Sequence, residues 1–214
     1  MDEAAIRAGY DAAAEAYAER FVDELDHKPL DRALLAALVE QLPPGGRPVA
    51  DLGCGPGHVA RYLAGLGAPA IGIDLSPAMV AIARRLTPDV DFRIGTMLAL
   101  DAADGAWAGI VALYSIIHLE PAQIPVAFGE YFRVLCPGGL ALISLHAGDE
   151  VRHVDDFLGQ GAWLDFRFLQ PARVAAQLED AGFEVMMQLE RRAYEPFEVG
   201  TRRAYIVARK PSAS

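Results

Sequence analysis

The sequence lacks the features that mark a secreted, membrane-spanning or nucleic-acid-binding protein. Its 214 residues contain 2 cysteines, and 19 lysines and arginines stand against 29 acidic residues, for a formal net charge of -10. Binding of phosphate backbones needs surfaces dense in lysine and arginine, so nucleic acid is not expected as a partner. No apolar run approaches a membrane span, and the acidic start with Asp2 and Glu3 does not fit a secretion signal. We therefore expect a cytoplasmic protein without a disulfide framework.

Short apolar segments alternate with helical patterns from residue 49 onward. Strands are predicted at 49–52, 70–74, 90–94, 110–114 and 140–145, with apolar residues at helical spacing between them. Residues 183–194 and 202–209 are typical of a terminal antiparallel strand pair. Such alternation predicts an α/β fold, in which a mostly parallel sheet carries helices on both faces and binds ligands beyond the carboxyl ends of its strands.

The length fits a single domain covering residues 1–214. Two helices are predicted before the first strand, the second with Asp31 as its N-cap, so residues 1–42 form an N-terminal helical cap. Residues 146–168 form an insertion after the fifth strand. We expect the cap, the insertion and the hairpin tip at 194–201 to overhang the same end of the sheet as a lid.

Three alternating glycines, Gly53, Gly55 and Gly57, follow the first strand in the string DLGCGPG. Glycine permits positive φ and lets the backbone approach a ligand closely. Asp74 ends the second strand about 20 residues further on, where a carboxylate can accept hydrogen bonds from the ribose hydroxyls of an adenosine-type ligand. The dinucleotide pattern G-x-G-x-x-G would place glycine or alanine at His58, so a nicotinamide cofactor is the weaker interpretation.

The strings DLGCGPG, IGIDLSPAMV and LCPGGLALISL resemble, in order and spacing, the class I S-adenosylmethionine-dependent methyltransferases that act on small molecules. The resemblance covers residues 49–145 and implies a Rossmann-like sheet of seven strands. It implies S-adenosylmethionine as cofactor, with the three glycines against its methionine part, Asp51 supporting the turn and Asp74 on the ribose. Leu75 would touch the adenine face. Thr96 and Met97 take the adenine-edge position, where Thr96 replaces the family's common aspartate.

Two tyrosines complete the predicted cofactor site. The string YDAAAEAY in the first helix resembles the start of many small-molecule methyltransferases, which implies that Tyr17 reaches the methionine carboxylate; simple core burial is the alternative. Tyr114 ends the fourth strand at the same edge of the sheet and is assigned to the cofactor as well.

His118 stands just beyond the fourth strand, where donor and acceptor should meet. Its imidazole could remove a proton from a hydroxyl or orient the acceptor; a packed or capping histidine is the alternative. Five aromatic or cationic residues of the cap, the insertion and the last hairpin are candidate acceptor contacts: Tyr10, His146, Trp163, Arg167 and Arg202.

The predicted function is methyl transfer from S-adenosylmethionine to a hydroxyl or carboxylate oxygen of a small molecule. A small-molecule amine N-methyltransferase is the alternative, and a non-catalytic S-adenosylmethionine-binding protein or a dehydrogenase represents a different class. Residues 114–117 are YSII, which lacks the signature of methyltransferases that act on DNA bases. No carboxylates cluster at the ends of the fourth and fifth strands, so no metal is expected. The protein is predicted to be a monomer or a homodimer.

Overall fold

A computed structural model of the chain describes residues 2–212. Seven strands form the main sheet: β1 (Val49–Leu52), β2 (Ala70–Asp74), β3 (Asp91–Ile94), β4 (Trp107–Leu113), β5 (Leu135–His146), β8 (Glu184–Arg191) and β9 (Arg203–Arg209). A separate hairpin consists of β6 (Val151–Val154) and β7 (Leu164–Arg167). The helices are α1 (Glu3–Phe21), α2 (Pro29–Glu40), α3 (His58–Gly65), α4 (Pro77–Leu86), α5 (Ile124–Val134) and α6 (Pro171–Asp180).

The main sheet has the strand order β3-β2-β1-β4-β5-β9-β8. Strands β1 to β5 run parallel, whereas β9 lies antiparallel between β5 and β8. The strand order reverses between β1 and β4, and a crevice for ligands opens outside the carboxyl ends of the strands at such a point. The predicted Rossmann-like α/β fold with an antiparallel terminal pair is confirmed.

The central strands are apolar on both sides because helices cover both faces of the sheet. All four residues of β1 and six of the seven in β4 are buried. On one face, Phe128 and Tyr131 of α5 pack in a cluster with β4 and β5. On the other face, Leu35 of α2 and Leu63 of α3 pack with Val49 and Val111. This two-sided burial explains why β4 and residues 140–143 of β5 are continuous apolar runs in the sequence.

The first two strands have the predicted bounds, and the later boundaries differ. β4 begins at Trp107, three residues before the prediction, and β5 begins at Leu135, five residues before it. Trp107 pairs with Leu135 across a register shift that precedes Gly109. Because of this irregularity, the segment from Pro137 to Gly139 remains within β5. The sequence interpretation had assigned it only to the end of the preceding helix.

The prediction that Asp31 caps the second helix is wrong. The helix α2 begins at Pro29, whose fixed φ suits the first turn, and Asp31 lies inside that turn with 1% of its surface exposed. Its carboxylate accepts hydrogen bonds from Tyr205 Oη at 2.9 and 3.0 Å and from Arg191 Nη2 at 3.0 Å. Asp31 therefore joins the N-terminal helices to β8 and β9.

The insertion predicted at 146–168 contains the β6–β7 hairpin, which the sequence interpretation left without strands. Along residues 2–212, no helix is both long and apolar enough to cross a bilayer. The assignment of the chain to a single domain with a cap and a lid stays a prediction.

Candidate functional site

The turn after β1 brings glycine backbone to the carboxyl edge of the sheet. Gly53 and Gly55 have φ of +74° and +51°. A Cβ on Gly53 would lie 2.4 Å from Cβ of Ser115, which no packing tolerates. A Cβ on Gly55 would meet Tyr17 Cε1 first, at 3.6 Å. Gly53 is thus required by close packing, and the backbone of Gly55 borders open space beside Tyr17.

Gly57 serves packing below the turn. It caps α3 with φ of +82°, and a Cβ there would lie 2.6 Å from Cζ of Phe92. Two cavities open at this edge of the sheet. Gly53 and Gly55 line both of them, and Gly57 lines neither. Gly57 therefore lies outside both cavities, and the contact with the methionine part that the resemblance implied for it stays a prediction.

A cleft with about 820 Å³ of empty space, part of it open to solvent, lies beyond β1 and β2. Eight of the ten predicted cofactor residues line it: Tyr17, Gly53, Gly55, Asp74, Leu75, Thr96, Met97 and Tyr114. Thr96 donates a hydrogen bond to Glu3 of α1, which also lines the cleft.

Asp74 holds a carboxylate at the end of β2 inside this cleft. Its Oδ2 accepts from the Gly55 N–H and its Oδ1 from the Ser76 N–H, both at 2.8 Å. Burial raises the pKa of Asp74, and the two backbone hydrogen bonds oppose that shift by favouring the charged form. The carboxylate thus has a defined orientation between the glycine turn and the start of α4.

Asp51 supports the turn from below. It is 2% exposed, and its Oδ2 accepts from the Ala60 N–H in α3 at 3.1 Å. Burial raises its pKa to about 7, and the charge of Asp74 adds to that shift, while His58 and the bond from Ala60 oppose it. Asp51 lies outside the cleft and lines a larger cavity beside it.

A larger cavity with about 1680 Å³ of empty space adjoins the cleft; we call it the chamber. Its walls come from α1, the α1–α2 connection, the β6–β7 insertion and the tip between β8 and β9. Six residues line both the cleft and the chamber: Tyr10, Tyr17, Gly53, Gly55, Leu113 and Tyr114. The two spaces therefore meet at the carboxyl ends of β1 and β4.

His118 lines the cleft and contacts Tyr10 of this junction, with both ring nitrogens engaged. Nδ1 is 2.9 Å from the carbonyl oxygen of Asp165, which can only accept, so Nδ1 carries the proton. Nε2 then accepts a hydrogen bond from Tyr10 Oη at 2.8 Å. Burial lowers the pKa of His118 to about 4, so the imidazole is neutral at pH 7.

The protonation of His118 is a testable consequence of its burial. We expect its ring nitrogens to report the neutral Nδ1–H form from pH 8 down to about pH 5 in nitrogen NMR, with a midpoint near 4. Since the folded pKa is below the unfolded value, the folded state binds fewer protons between about pH 6.5 and 4, and this histidine costs stability as the pH falls through that window. A midpoint near 6.5 would contradict the buried, hydrogen-bonded placement.

Of the five candidate acceptor contacts, the structure brings two to the chamber. Tyr10 lines it near His118, and His146 lines it between the rings of Tyr114 and Phe168, with centroids 5.1 and 5.3 Å away. The other three lie outside. Trp163 is 46% exposed and packs on His153.

The two predicted arginine contacts are engaged elsewhere. Arg167 pairs with Glu120, and Arg202 has a 68% exposed side chain that pairs with Glu190 at 2.8 Å. The neighbouring Arg203 lines the chamber and is 4% exposed. Successive side chains of a strand point to opposite faces, and the sequence did not show which of the two arginines turns inward.

Comparison with known proteins decides the family. A sequence model described as a methyltransferase domain matches residues 49–139. The chain is 30% identical over 172 residues to a ubiquinone biosynthesis O-methyltransferase of Xanthomonas axonopodis pv. citri, and the match covers 73% of this chain and 70% of that protein. The chain belongs to the class I S-adenosylmethionine-dependent methyltransferases.

Two further proteins are similar to this methyltransferase. A probable S-adenosylmethionine-dependent methyltransferase of Mycolicibacterium smegmatis is 35% identical over 144 residues; the match covers 65% of this chain and 53% of the relative, so the chain spans about half of its length. The 1,6-didemethyltoxoflavin-N1-methyltransferase of Burkholderia thailandensis, solved with 1,6-didemethyltoxoflavin and S-adenosylhomocysteine, has a TM-score of 0.74 at 22% identity, covering 98% of this chain and 88% of that one. This last likeness shows the shared fold.

S-adenosylmethionine is the cofactor of this methyltransferase family, and the cleft fits it. Asp74 offers a carboxylate for the ribose hydroxyls, and Gly55 presents backbone without a side chain. Tyr17 lies beside that glycine, and its contact with the methionine part stays a prediction. Within residues 2–212, no group of three or more His, Cys, Asp or Glu side chains is placed to hold a metal ion.

Proposed function

We propose that this protein transfers a methyl group from S-adenosylmethionine to a hydroxyl or carboxylate oxygen of a small molecule. The main support for this proposal is the junction of the cleft and the chamber, because Tyr10 and Tyr114 line both cavities there. The cleft takes the cofactor, which supplies an electrophilic methyl group on a sulfonium, and the chamber takes the acceptor. The Xanthomonas relative, named an O-methyltransferase, supports oxygen as the acceptor atom.

The chain's main contribution is alignment in a site poor in water. Methyl transfer to an oxygen needs the nucleophile held in line with the methyl group, and positioning of this kind removes much of the barrier. Leu113, Tyr17 and Tyr114 surround the junction with largely apolar surface. This wall holds the acceptor close to the cofactor and keeps water from competing for the same place.

Tyr10 and His118 form a path for the proton of a hydroxyl acceptor. Burial raises the pKa of Tyr10, so its phenol stays protonated and donates to His118 Nε2. A hydroxyl that donates to Tyr10 Oη gives up its proton as its bond to carbon forms, while Tyr10 passes its own proton to Nε2. The low basicity of His118 suffices, because an alkylated hydroxyl is a far stronger acid than imidazolium. A carboxylate acceptor does not need this path.

Loss of the Tyr10 hydroxyl tests the proton path. We expect Tyr10→Phe and His118→Ala to lower kcat for a hydroxyl acceptor by about a hundredfold, the low end of general base effects, with calorimetric affinity for S-adenosylhomocysteine unchanged. His153→Ala is the control, since His153 is half-exposed and lines neither cavity. Wild-type turnover in Tyr10→Phe would return both residues to a packing role.

The function itself is tested with S-adenosylmethionine carrying an isotopically labelled methyl group. The protein is incubated with separate sets of hydroxylated aromatics, carboxylic acids and amines, and the products are identified by mass spectrometry. We expect label on oxygen of members of the first two sets. Transfer to amines alone would favour the N-methyltransferase. Binding of S-adenosylhomocysteine without transfer to any set would favour a binding protein that lacks chemistry.

A further inference from the structure

Arg203 is a buried cation at the wall of the chamber, with hydrogen-bonding capacity left over. Its Nη1 donates to the carbonyl oxygens of Val199 and Thr201, both at 2.9 Å, and to Thr201 Oγ1 at 3.0 Å. Its Nε lies 3.0 Å from Glu198 Oε1 but lacks the geometry of a hydrogen bond. Among the described residues, none of its hydrogen bonds uses Nη2. A buried guanidinium in this state can bind a further anion.

Lys28 and His146 lie near Arg203, beside the ring of Tyr114. Lys28 Nζ donates to Glu24 Oε2 at 2.7 Å and has two further N–H groups. Lys28 Nζ is 5.1 Å and Arg203 Cζ 5.9 Å from the ring centroid of Tyr114, and Lys28 is 7% exposed. His146 Nδ1 is 2.9 Å from Thr201 Oγ1, a hydroxyl that already accepts from Arg203. When this hydroxyl donates to Nδ1, and not to the Val199 carbonyl oxygen 3.5 Å away, Nε2–H of His146 is left as a donor.

The lining of the chamber is more cationic than the rest of the chain. The protein carries a formal net charge of -10. In the chamber, four cationic side chains stand against three carboxyl groups: Arg20, Lys28, Arg152 and Arg203 against Glu24, Asp51 and Glu198. Burial lowers the pKa of His146 to about 4, and the charges of Arg203, Lys28 and Arg152 act in the same direction. Three cations therefore act on His146 against one carboxylate, Glu198.

Aromatic rings line the space between this cationic end and the junction. Phe166 packs 5.1 Å from the ring of His118, and Phe168 stacks on His146 at 5.3 Å. Phe157 lies 5.6 Å from Phe166 and 5.8 Å from Tyr10. Flat aromatic walls of this kind bind a planar ring by stacking or edge contacts. The chamber therefore combines a slot for a planar ring with a cationic end.

We propose that the chamber binds an aromatic carboxylic acid, with its carboxylate on Arg203 and supported by Lys28 and His146. This inference rests on the proposed function and names its substrate class. The carboxylate is then the anchor, and a ring hydroxyl turned toward Tyr10 is the methylated group. In that reaction the oxygen–carbon bond forms as the sulfonium–methyl bond breaks, the sulfur keeps the electron pair, and the hydroxyl proton leaves to the Tyr10–His118 pair.

Calorimetry on the protein saturated with S-adenosylhomocysteine tests this subsite without turnover. The probes are the three hydroxybenzoate isomers and the matching neutral hydroxybenzamides, which have nearly the same shape. We expect at least one acid to bind about tenfold or more tightly than its amide, because a buried charged pair replaces a neutral contact. Arg203→Met should abolish this preference. Arg202→Met, the exposed neighbour outside the chamber, should keep it.

Equal affinity of each acid and its amide in the wild type would overturn the inference, and so would a preserved acid preference in Arg203→Met. Absence of binding by all three acids would contradict it as well. If Arg203→Met does not fold, the wild-type comparison decides alone. Selective, Arg203-dependent binding of an acid without methylation would support the subsite while the proposed function fails, so the two claims fail separately.

Discussion

Replacement of Asp74 with alanine is expected to weaken S-adenosylhomocysteine binding by about a hundredfold or more. Hydrogen bonds to a charged group are worth about 1.5–3 kcal/mol each, and two ribose hydroxyls are available to this carboxylate. The structure adds a second reason, because Asp74 also accepts the N–H groups of Gly55 and Ser76. Alanine therefore removes the ribose contact and loosens the glycine turn at once.

Titration calorimetry measures this effect with two comparison variants. Asp74→Asn keeps a carbonyl acceptor without the charge, so its affinity should fall between wild type and Asp74→Ala. Asp91→Ala removes a half-exposed carboxylate that pairs with Arg93 within β3, and its affinity should equal that of the wild type. Unchanged affinity in Asp74→Ala would show that the ribose lies elsewhere.

Asp31→Ala is expected to lower the free energy of unfolding by about 3–5 kcal/mol, the usual cost of removing one partner of a buried ion pair. Asp31 is 1% exposed and bonds to Arg191 and Tyr205. The loss leaves part of the charge on Arg191 unpaired and the Tyr205 hydroxyl without its acceptor, although Arg191 keeps Glu198. Urea denaturation followed by circular dichroism measures the change.

The Arg202–Glu190 pair supplies the matched control for Asp31. It links β8 to the residue that precedes β9, at 2.8 Å on the solvent side, with the Arg202 side chain 68% exposed. Surface ion pairs are typically worth 0–1 kcal/mol, so Glu190→Ala should change the unfolding free energy by no more than about that. A loss for Asp31→Ala as small as that for Glu190→Ala would mean that the buried network does not hold the N-terminal helices.

The cofactor half of the site was predictable because its signals are local. Gly53 and Gly55 follow β1 directly, and Asp74 ends the next parallel strand, so chain order alone places them at one edge. Gly57 shows the limit of such reasoning. Its positive φ was implied by the motif, but its contact with Phe92, 35 positions away, decides that it packs under the turn.

The acceptor side of the site could be predicted only in part, because its residues meet only through the tertiary fold. His118 bonds to Tyr10 across 108 positions and to Asp165 across 47. Lys28 and Glu198 were missed, and burial of a lysine in a chain this acidic has no local signature. Arg203 was separated from Arg202 only by the register of β9, in which Arg203 pairs with His146.

The elements of the fold could be predicted where both faces of the sheet are buried. The prediction failed where contacts between distant parts of the chain decide the structure. Short, mostly apolar segments predicted β1 and β2 at their observed bounds. The strands β6 and β7 were missed, since only Leu164 of that hairpin is fully buried. Aspartate is a common N-cap residue, but Asp31 binds an arginine of β8 instead. Local sequence patterns therefore predicted the central strands of the sheet but not the elements that form the chamber.

A crystal structure with S-adenosylhomocysteine bound would show whether the cleft holds the cofactor and opens to the chamber. We expect ribose hydroxyls on the carboxylate of Asp74 and the methionine part along Gly53 and Gly55. We also expect the ligand's sulfur at the junction, facing the chamber between Tyr10 and Tyr114. A ligand whose ribose lies away from Asp74, or whose sulfur is closed off from the chamber, would contradict the account.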